Sequence, residues 1–474
     1  MSGAIMSGTI MSGTKQVGGA AARRIVVVGG IAAGMSAASQ ARRRDPHCEV
    51  VVLQRESDIS YSACGMPYNI GDPQRSLDDL VMLDAETART QRGIDVRVRQ
   101  LATAIDLAAR QVRVRDLERD TQYDLPWDRL ILATGAAAVM PPLPGIDLPG
   151  VHALRSLEDA RRIKRQVRES AVRQAVVIGA GYIGMEMADI LHQLDIAVVV
   201  IEKLDHVLPG FAPEIVRLAG QELARQGVPV MTGAALRSIE AQGSDLLVHA
   251  GAATHRAQLV VVSIGVRPNV ELARGAGIAL GASGAIATDD AMRTSAADVY
   301  AAGDCAEAWH RVLGRPAWIA LGTTANKQGK VAGANAAGAD ERFGGIVGTA
   351  GFKLFDLEVA RTGLGADEIA RHGIDAVGAV SQHHSRARNY PGDAPLTTVV
   401  YAERHTGRLL GAQMIGAGTV AKRIDVFATA LHAGMTLAQV EDLDLSYAPP
   451  FAPVYDPVLI AAGVGRKALA RSAT

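Results

Sequence analysis

Short aliphatic runs that end on glycine and lead into small-residue helical stretches recur along this chain, and they predict strands feeding helices. The first is Arg24-Ile25-Val26-Val27-Val28, a β-branched run that reads as a buried parallel strand. It enters Gly29-Gly30-Ile31-Ala32-Ala33-Gly34 and then an Ala/Ser-rich helix ending near Arg42-Arg43-Arg44. A second strand, Val50-Val51-Val52-Leu53, stops at Gln54. The order then repeats. Ala175-Val176-Val177-Ile178 leads into Gly179-Ala180-Gly181-Tyr182-Ile183-Gly184-Met185-Glu186, and the strand Ala197 to Ile201 stops at Glu202. Two further apolar strands end in small-residue turns, Ile131-Leu132-Ala133-Thr134-Gly135 and Val299-Tyr300-Ala301-Ala302-Gly303-Asp304.

A strand, a glycine turn and a helix set backbone N–H groups and a helix N-terminus against a pyrophosphate. The second copy has all three glycines and an acid at the distance expected for a ribose contact, which makes it the stronger dinucleotide motif. Glu202 in that place favours NADH by repelling a 2′-phosphate, whereas the adjacent Lys203 could hold one. In the first copy Ile31 takes the middle glycine's place and Gln54 that of the ribose-binding acid. Two dinucleotide sites imply a relay between two cofactors, with NADH or NADPH as hydride source and a flavin as acceptor.

The chain has 474 residues, enough for roughly two or three domains. Its 49 basic and 49 acidic residues cancel, so no global charge draws it to nucleic acid or an anionic membrane. No apolar run approaches about 18 residues, so no membrane span is expected. Residues 1–22 carry the repeated Met-Ser-Gly of Met1, Met6 and Met11 and read as a disordered tail or a start-site artefact. The three cysteines, Cys48, Cys64 and Cys305, are too far apart and too few for a disulfide scaffold, which points to a reducing, cytoplasmic setting.

Cys64 stands in Ser60-Tyr61-Ser62-Ala63-Cys64-Gly65-Met66-Pro67-Tyr68, at the start of an expected helix whose N–H groups would stabilise its thiolate. Cys48 opens a strand and Cys305 follows Asp304, so both read as packing residues. Without a neighbouring cysteine, Cys64 must cycle against an external sulfur or through a sulfenic acid.

In this order the pieces resemble the pyridine nucleotide–disulfide oxidoreductases, from Arg24 to Val464. The resemblance implies an α/β fold with two Rossmann-like dinucleotide-binding domains, for FAD and NAD(P)H, plus a C-terminal α+β dimerisation domain. The expected boundaries are 23–150 and 269–343 for the FAD domain, 151–268 for the NAD(P)H domain and 344–474 for the dimerisation domain. Ser263-Ile264-Gly265-Val266-Arg267-Pro268-Asn269 looks like the return from the second domain to the first.

Within the single-cysteine branch, Cys64-Gly65-Met66-Pro67-Tyr68 is similar to the motif of coenzyme A-disulfide reductases. Peroxidases and oxidases of the branch place a histidine where this chain has Ala32. Lys353-Leu354-Phe355-Asp356-Leu357 with Thr362-Gly363 looks like that reductase group's entry to the dimer domain. Asn389-Tyr390-Pro391-Gly392 and Ser446-Tyr447-Ala448-Pro449-Pro450 look like segments carrying tyrosines across a homodimer to the partner's cysteine, with Phe451 where a further tyrosine is common.

The resemblance implies Cys64, Tyr447 and Tyr390 as catalytic residues. It implies FAD contacts from Gly29, Ala33, Gly34, Gln54, Arg55, Thr134, Gly135, Gly303 and Asp304. It implies NAD(P)H contacts from Gly179, Gly181, Tyr182, Ile183, Gly184, Glu186, Glu202 and Gly265, with Tyr182 a movable cover of the nicotinamide. Ser36, Gln40 and Arg43 share one helical face, which with Ser60 would meet the coenzyme A nucleotide; an ordinary solvated helix end would look the same. No metal ligands are assigned.

The implied activity is reduction of coenzyme A disulfide through a Cys64 mixed disulfide. Three alternatives stay open: a polysulfide or CoA-persulfide reductase, an NADH oxidase or peroxidase working through sulfenate, and a non-enzymatic flavin redox sensor. Members acting on persulfides often carry a fused sulfur-transfer domain with its own cysteine. None is expected here, since no cysteine follows Cys305.

Overall fold

A computed structural model describes residues 22–472; the tail expected over residues 1–22 falls almost wholly outside them. One plan is used twice. In the first half, five parallel strands lie in the order Val299–Ala301, Arg129–Leu132, Arg24–Val28, Glu49–Leu53 and Asp95–Arg97. In the second, the order is Val230–Met231, Ala197–Ile201, Gln174–Ile178, Leu259–Val262 and Val151–Ala153, again all parallel. Each half adds a three-stranded antiparallel meander, Gln100–Asp106 to Thr121–Pro126 in one and Leu236–Gln242 to Ala253–Ala257 in the other.

The central strands are unbroken aliphatic runs because both faces are covered: Ile25, Val26 and Val27 are fully buried, as is Val177. From each central strand the chain turns into a glycine-loop helix, Ala32–Arg44 in the first half and Tyr182–Gln193 in the second. Helix Gly322–Ala336 packs along the first of these, and Gly329 and Gly333 let its backbone lie against Ala33 and Ala37.

The chain crosses between the halves twice, and the crossings pair. Ala136–Ala138 leaves and Val266–Pro268 returns as a two-stranded antiparallel ribbon. Below it Thr134 Oγ1 donates to the Asn269 carbonyl at 2.7 Å, and Asn269 Nδ2 donates to that of Thr134 at 2.8 Å.

A C-terminal antiparallel sheet follows, Ala350–Leu354, Leu357–Gly363, Leu409–Gly416, Pro395–Glu403 and Ala376–His384 in spatial order. Helices Val420–Ala433 and Pro457–Ser472 pack on it. The second half is fastened to this sheet: buried Asp189 accepts from Phe355 N at 2.9 Å, and Gln413 Oε1 from Ala212 N at 2.7 Å. Among the described residues no helix is long and apolar enough to cross a membrane.

Candidate active site

The two glycine turns are built alike. Gly29 and Gly179 both have φ near +100° (107° and 101°), and a Cβ on Gly34 or Gly184 would lie 1.7 or 1.9 Å from the carbonyl oxygen of its turn's first glycine. Only glycine lets the helix start so close to the strand. The residue ending the neighbouring strand ties each turn down. Gly30 N donates to Gln54 Oε1 at 2.9 Å, and Ala180 N to Glu202 Oε2 at 2.7 Å. A glutamine carbonyl does the first task as well as a carboxylate, which explains Gln54 where an acid was expected. Glu202 also accepts from Leu204 N at 2.9 Å, so backbone donors already hold both of its oxygens.

These turns fit dinucleotides. A Cβ on Gly181 would meet nothing within 4 Å, and Gly265 at the return crossing is equally open. Gly303 has φ +82° and its place against Ala33 leaves no room for a Cβ, so the backbone comes close to the first turn there. Ala33 is thereby a packing residue, buried under Gly303 and Gly329. Arg55 is an exposed side chain beside Glu56.

Cys64 lies in a 3-10 turn, Ala63–Gly65, before the five-residue helix Met66–Ile70. It is exposed, whereas Cys48 and Cys305 are buried. The Cys305 thiol sits 3.4 Å from the carbonyls of Leu132 and Ala302, as a packing role requires.

The expectation of a thiolate stabilised by a helix start is corrected. The Cys64 thiol is pushed up, first by the protein around it, then by the charges of Glu186 and Asp304, while Arg155 opposes them.

Glu186 comes from the second glycine-loop helix and Asp304 from the tip of the first sheet, so the thiol sits where the two halves meet. Burial raises both carboxylates. Arg155 donates to Asp304 at 3.0 Å and to the Ala136 carbonyl at 2.8 Å. Tyr182 packs against Phe211 and Phe352, with ring centroids 5.8 and 5.1 Å away, and Ile183 is exposed beside it.

The family model described as pyridine nucleotide-disulphide oxidoreductase matches residues 23–329, and that of its dimerisation domain matches 349–457. The chain belongs to this family. It is an enzyme of the flavoprotein type that uses FAD and NAD(P)H. It is similar to an NAD(P)H sulfur oxidoreductase (CoA-dependent) of Pyrococcus furiosus, 37% identical over 93% of this chain and 99% of the relative. It is also similar to a coenzyme A disulfide reductase of Staphylococcus haemolyticus, 26% identical over 90% of this chain and 96% of that protein. The solved structure of an NAD-dependent persulfide reductase from A. fulgidus superposes with a TM-score of 0.91 at 37% identity, covering 95% of this chain and 84% of the other.

As a member of the oxidoreductase family, the chain keeps its remaining expected site residues in two places. Ser36 and Gln40 are half-buried and Arg43 is exposed on the first glycine-loop helix. Ser36 Oγ donates to Asn326 Oδ1 at 2.7 Å and Arg43 Nε to the Ser39 carbonyl at 3.2 Å. Ser60 has φ +46° and donates its N–H to the Gly30 carbonyl at 2.9 Å, joining the cysteine segment to the first turn. Tyr390, Tyr447 and Phe451 stand exposed on the C-terminal domain.

Four further residues, three beside the cysteine segment and one in the C-terminal domain, escaped the sequence reading. Arg155 precedes helix Leu157–Glu169, and Arg161 and Lys164 lie within it. Arg161 makes a bidentate pair with Asp58 at 2.6 and 2.9 Å. Buried Lys164 donates to Asn69 O, Asn69 Oδ1, Asp72 O and Arg75 O, all within 2.9 Å, and so clamps the chain after the cysteine helix. Arg423 is the fourth, with a bond to the Ser385 carbonyl at 2.9 Å and one to the Asp456 carboxylate at 2.9 Å. Its only sequence signal was a cation inside a helix whose other inward positions are apolar.

Proposed function

We propose that this enzyme uses NAD(P)H to reduce sulfur–sulfur bonds of coenzyme A disulfide, through Cys64 as the single cycling cysteine. The observation that carries the reading is one exposed thiol pushed up by burial and by the charges of Glu186 from one nucleotide half and Asp304 from the other, with both other cysteines buried.

In this reading Gly29, Gly34, Gln54, Thr134, Gly135, Gly303 and Asp304 hold FAD. Gly179, Gly181, Tyr182, Ile183, Gly184, Glu186, Glu202 and Gly265 hold the nicotinamide nucleotide. Bound there, the flavin supplies two-electron transfer between nicotinamide and sulfur.

Cys64, as thiolate, attacks one sulfur of the disulfide; a Cys64–S–S–CoA bond forms and one coenzyme A thiolate leaves, taking up a proton. Two electrons from NAD(P)H then cleave the mixed disulfide and return a Cys64 thiolate and a second coenzyme A thiol. Tyr390 and Tyr447 of the partner subunit supply hydroxyls to the leaving thiolate in a homodimer. Ser36, Gln40, Arg43 and Ser60 line the coenzyme A path. A reducing cytoplasm suits such chemistry.

A second reading is favoured by similarity: the relative at 37% identity is named a CoA-dependent sulfur oxidoreductase, whereas the disulfide reductase stands at 26%. There the bond cleaved is that of a coenzyme A persulfide.

Intact mass spectrometry under non-reducing conditions tests the shared core. An adduct with the mass of coenzyme A, removed by dithiothreitol and missing in Cys64→Ser, is expected. A bare thiol or a one-oxygen adduct on Cys64 would overturn the coenzyme A reading. Steady-state turnover of coenzyme A disulfide against coenzyme A persulfide then separates the two substrates. Mixed dimers of Cys64→Ser and Tyr447→Phe chains regain one intact site if the tyrosine acts across subunits, and none if it acts within one.

A further inference from the structure

Helix Leu157–Glu169 belongs to the second half, yet two of its cations, three residues apart and so on one face, reach into the first. Lys164 is buried, and its ammonium donates to Asn69 O at 2.6 Å, Asn69 Oδ1 at 2.9 Å, Asp72 O at 2.8 Å and Arg75 O at 2.7 Å. All four acceptors are uncharged oxygens at the end of helix Met66–Ile70 and in the turn after it. A five-residue helix cannot bond its own last carbonyls and is too short to hold its shape alone. Lys164 supplies the missing donor at Asn69 and gathers the turn, which Asn69 Nδ2 closes by donating to Ser76 O at 2.8 Å. On the same face Arg161 pairs with Asp58 before the cysteine, and with Asp78 after it at 2.9 Å.

We propose that Lys164 is a positioning residue for Cys64. Its ammonium, seated among these oxygens, fixes the short helix that begins just after the cysteine, and so fixes how the thiol meets a disulfide. The inference rests on the reading of Cys64 as the cycling sulfur. Attack on a sulfur depends on placement, since about 1 Å of misplacement costs about a hundredfold in rate. Among the described residues the bonds of the ammonium all go to this stretch and none to a glycine turn. Its loss therefore acts on the sulfur step and spares the nucleotide sites.

The test takes FAD-loaded Lys164→Met through the two halves of the cycle by stopped flow. Flavin reduction by NAD(P)H is expected to stay within about twofold of wild type, whereas reoxidation by coenzyme A disulfide slows about tenfold to a hundredfold. Hydrogen exchange should quicken over residues 71–75, where the amides of Gly71, Asp72 and Arg75 bond carbonyls of the same stretch. Lys164→Ala with added n-propylammonium should regain reoxidation, because that ion supplies the missing stem and charge. n-Propanol, which fills similar space without the charge, should not. The proposal is overturned if both half-reactions slow together, if reoxidation keeps its wild-type rate, or if n-propanol serves as well as n-propylammonium.

Should Lys164→Met fail to retain flavin, Asn69→Ala serves instead. It takes away one of the four oxygens with Lys164 intact and should give the same split at smaller amplitude; unchanged reoxidation, or an even loss in both half-reactions, would count against the link. The underlying reading is judged separately. Cys64→Ser that reoxidises its flavin with coenzyme A disulfide as fast as wild type would sink it, while exchange over residues 71–75, and its reversal by n-propylammonium, would still decide whether Lys164 holds the helix.

Discussion

Arg155 and Asp304 face each other at 3.0 Å, an ion pair that joins the first crossing between the halves to the tip of the first sheet. It is the one positive contribution beside Cys64, set against Glu186 and Asp304. The thiol therefore answers to a balance of three charges brought by three separate stretches of chain.

Removing the cation tips that balance. Arg155→Met should push both Cys64 and Asp304 further up, because Arg155 lowers each of them. Less thiolate is then present at neutral pH. Alkylation of Cys64 at pH 7.5 should slow by about threefold to tenfold, the change expected for half to one pH unit. A rate that stayed level would show that the pair does not reach the sulfur.

The second glycine turn offers two substitutions with opposite signatures. Gly184→Ala sets a Cβ 1.9 Å from the Gly179 carbonyl oxygen, a clash that backbone must relieve, at about 3 kcal/mol. Gly181→Ala meets nothing within 4 Å of the protein. Thermal unfolding should register the first and ignore the second. The KM for NAD(P)H should rise with Gly181→Ala, because its methyl group takes space that the turn keeps free for a pyrophosphate.

Acid should loosen the cysteine segment before the rest. Asp58 is held below its ordinary value chiefly by the Arg161 hydrogen bond. A carboxylate depressed in the folded state stabilises it fully above the unfolded value near 3.9, and that contribution fades as pH falls through the folded one. Arg161→Met should abolish the effect and make the segment 58–78 more open to protease at neutral pH, with cleavage sites mapped by mass spectrometry. Identical cleavage in both proteins would refute the role.

Arg423 is the pin of the surface that bears both tyrosines. It is buried, bonds Asp456 at 2.9 Å and reaches the carbonyls of Ser385 and Phe451. Arg423→Met leaves Asp456 buried without its cation, which costs about 3–5 kcal/mol. In Arg423→Met/Asp456→Leu the loss should be clearly smaller than the sum of the two singles. Strict additivity in denaturant unfolding would mean that the pair is not coupled.

How much of this was legible beforehand follows from how local each feature is. The strand runs at Arg24, Gln174 and Ala197 and both glycine turns are set by neighbours within a few residues, and the structure has them where the pattern puts them. The burial of Cys48 and Cys305 could also be read, since each adjoins a strand in the core. The aim of Tyr68 at Glu186 and the clamp of Lys164 on the residues after the cysteine helix could not. Their partners are distant in the chain, and no periodicity marks them.

The sequence by itself determined that two dinucleotide turns share one chain with one unpaired cysteine near the first of them. Backbone propensity, strand patterning and glycine sterics act over short distances, so they are written in consecutive residues. Only the tertiary structure decided what that cysteine feels. Coulomb interaction and desolvation depend on separation in space. Folding brings Glu186, Asp304 and Arg155 to act on the thiol from remote positions; burial and the two carboxylates push it up, and Arg155 opposes them.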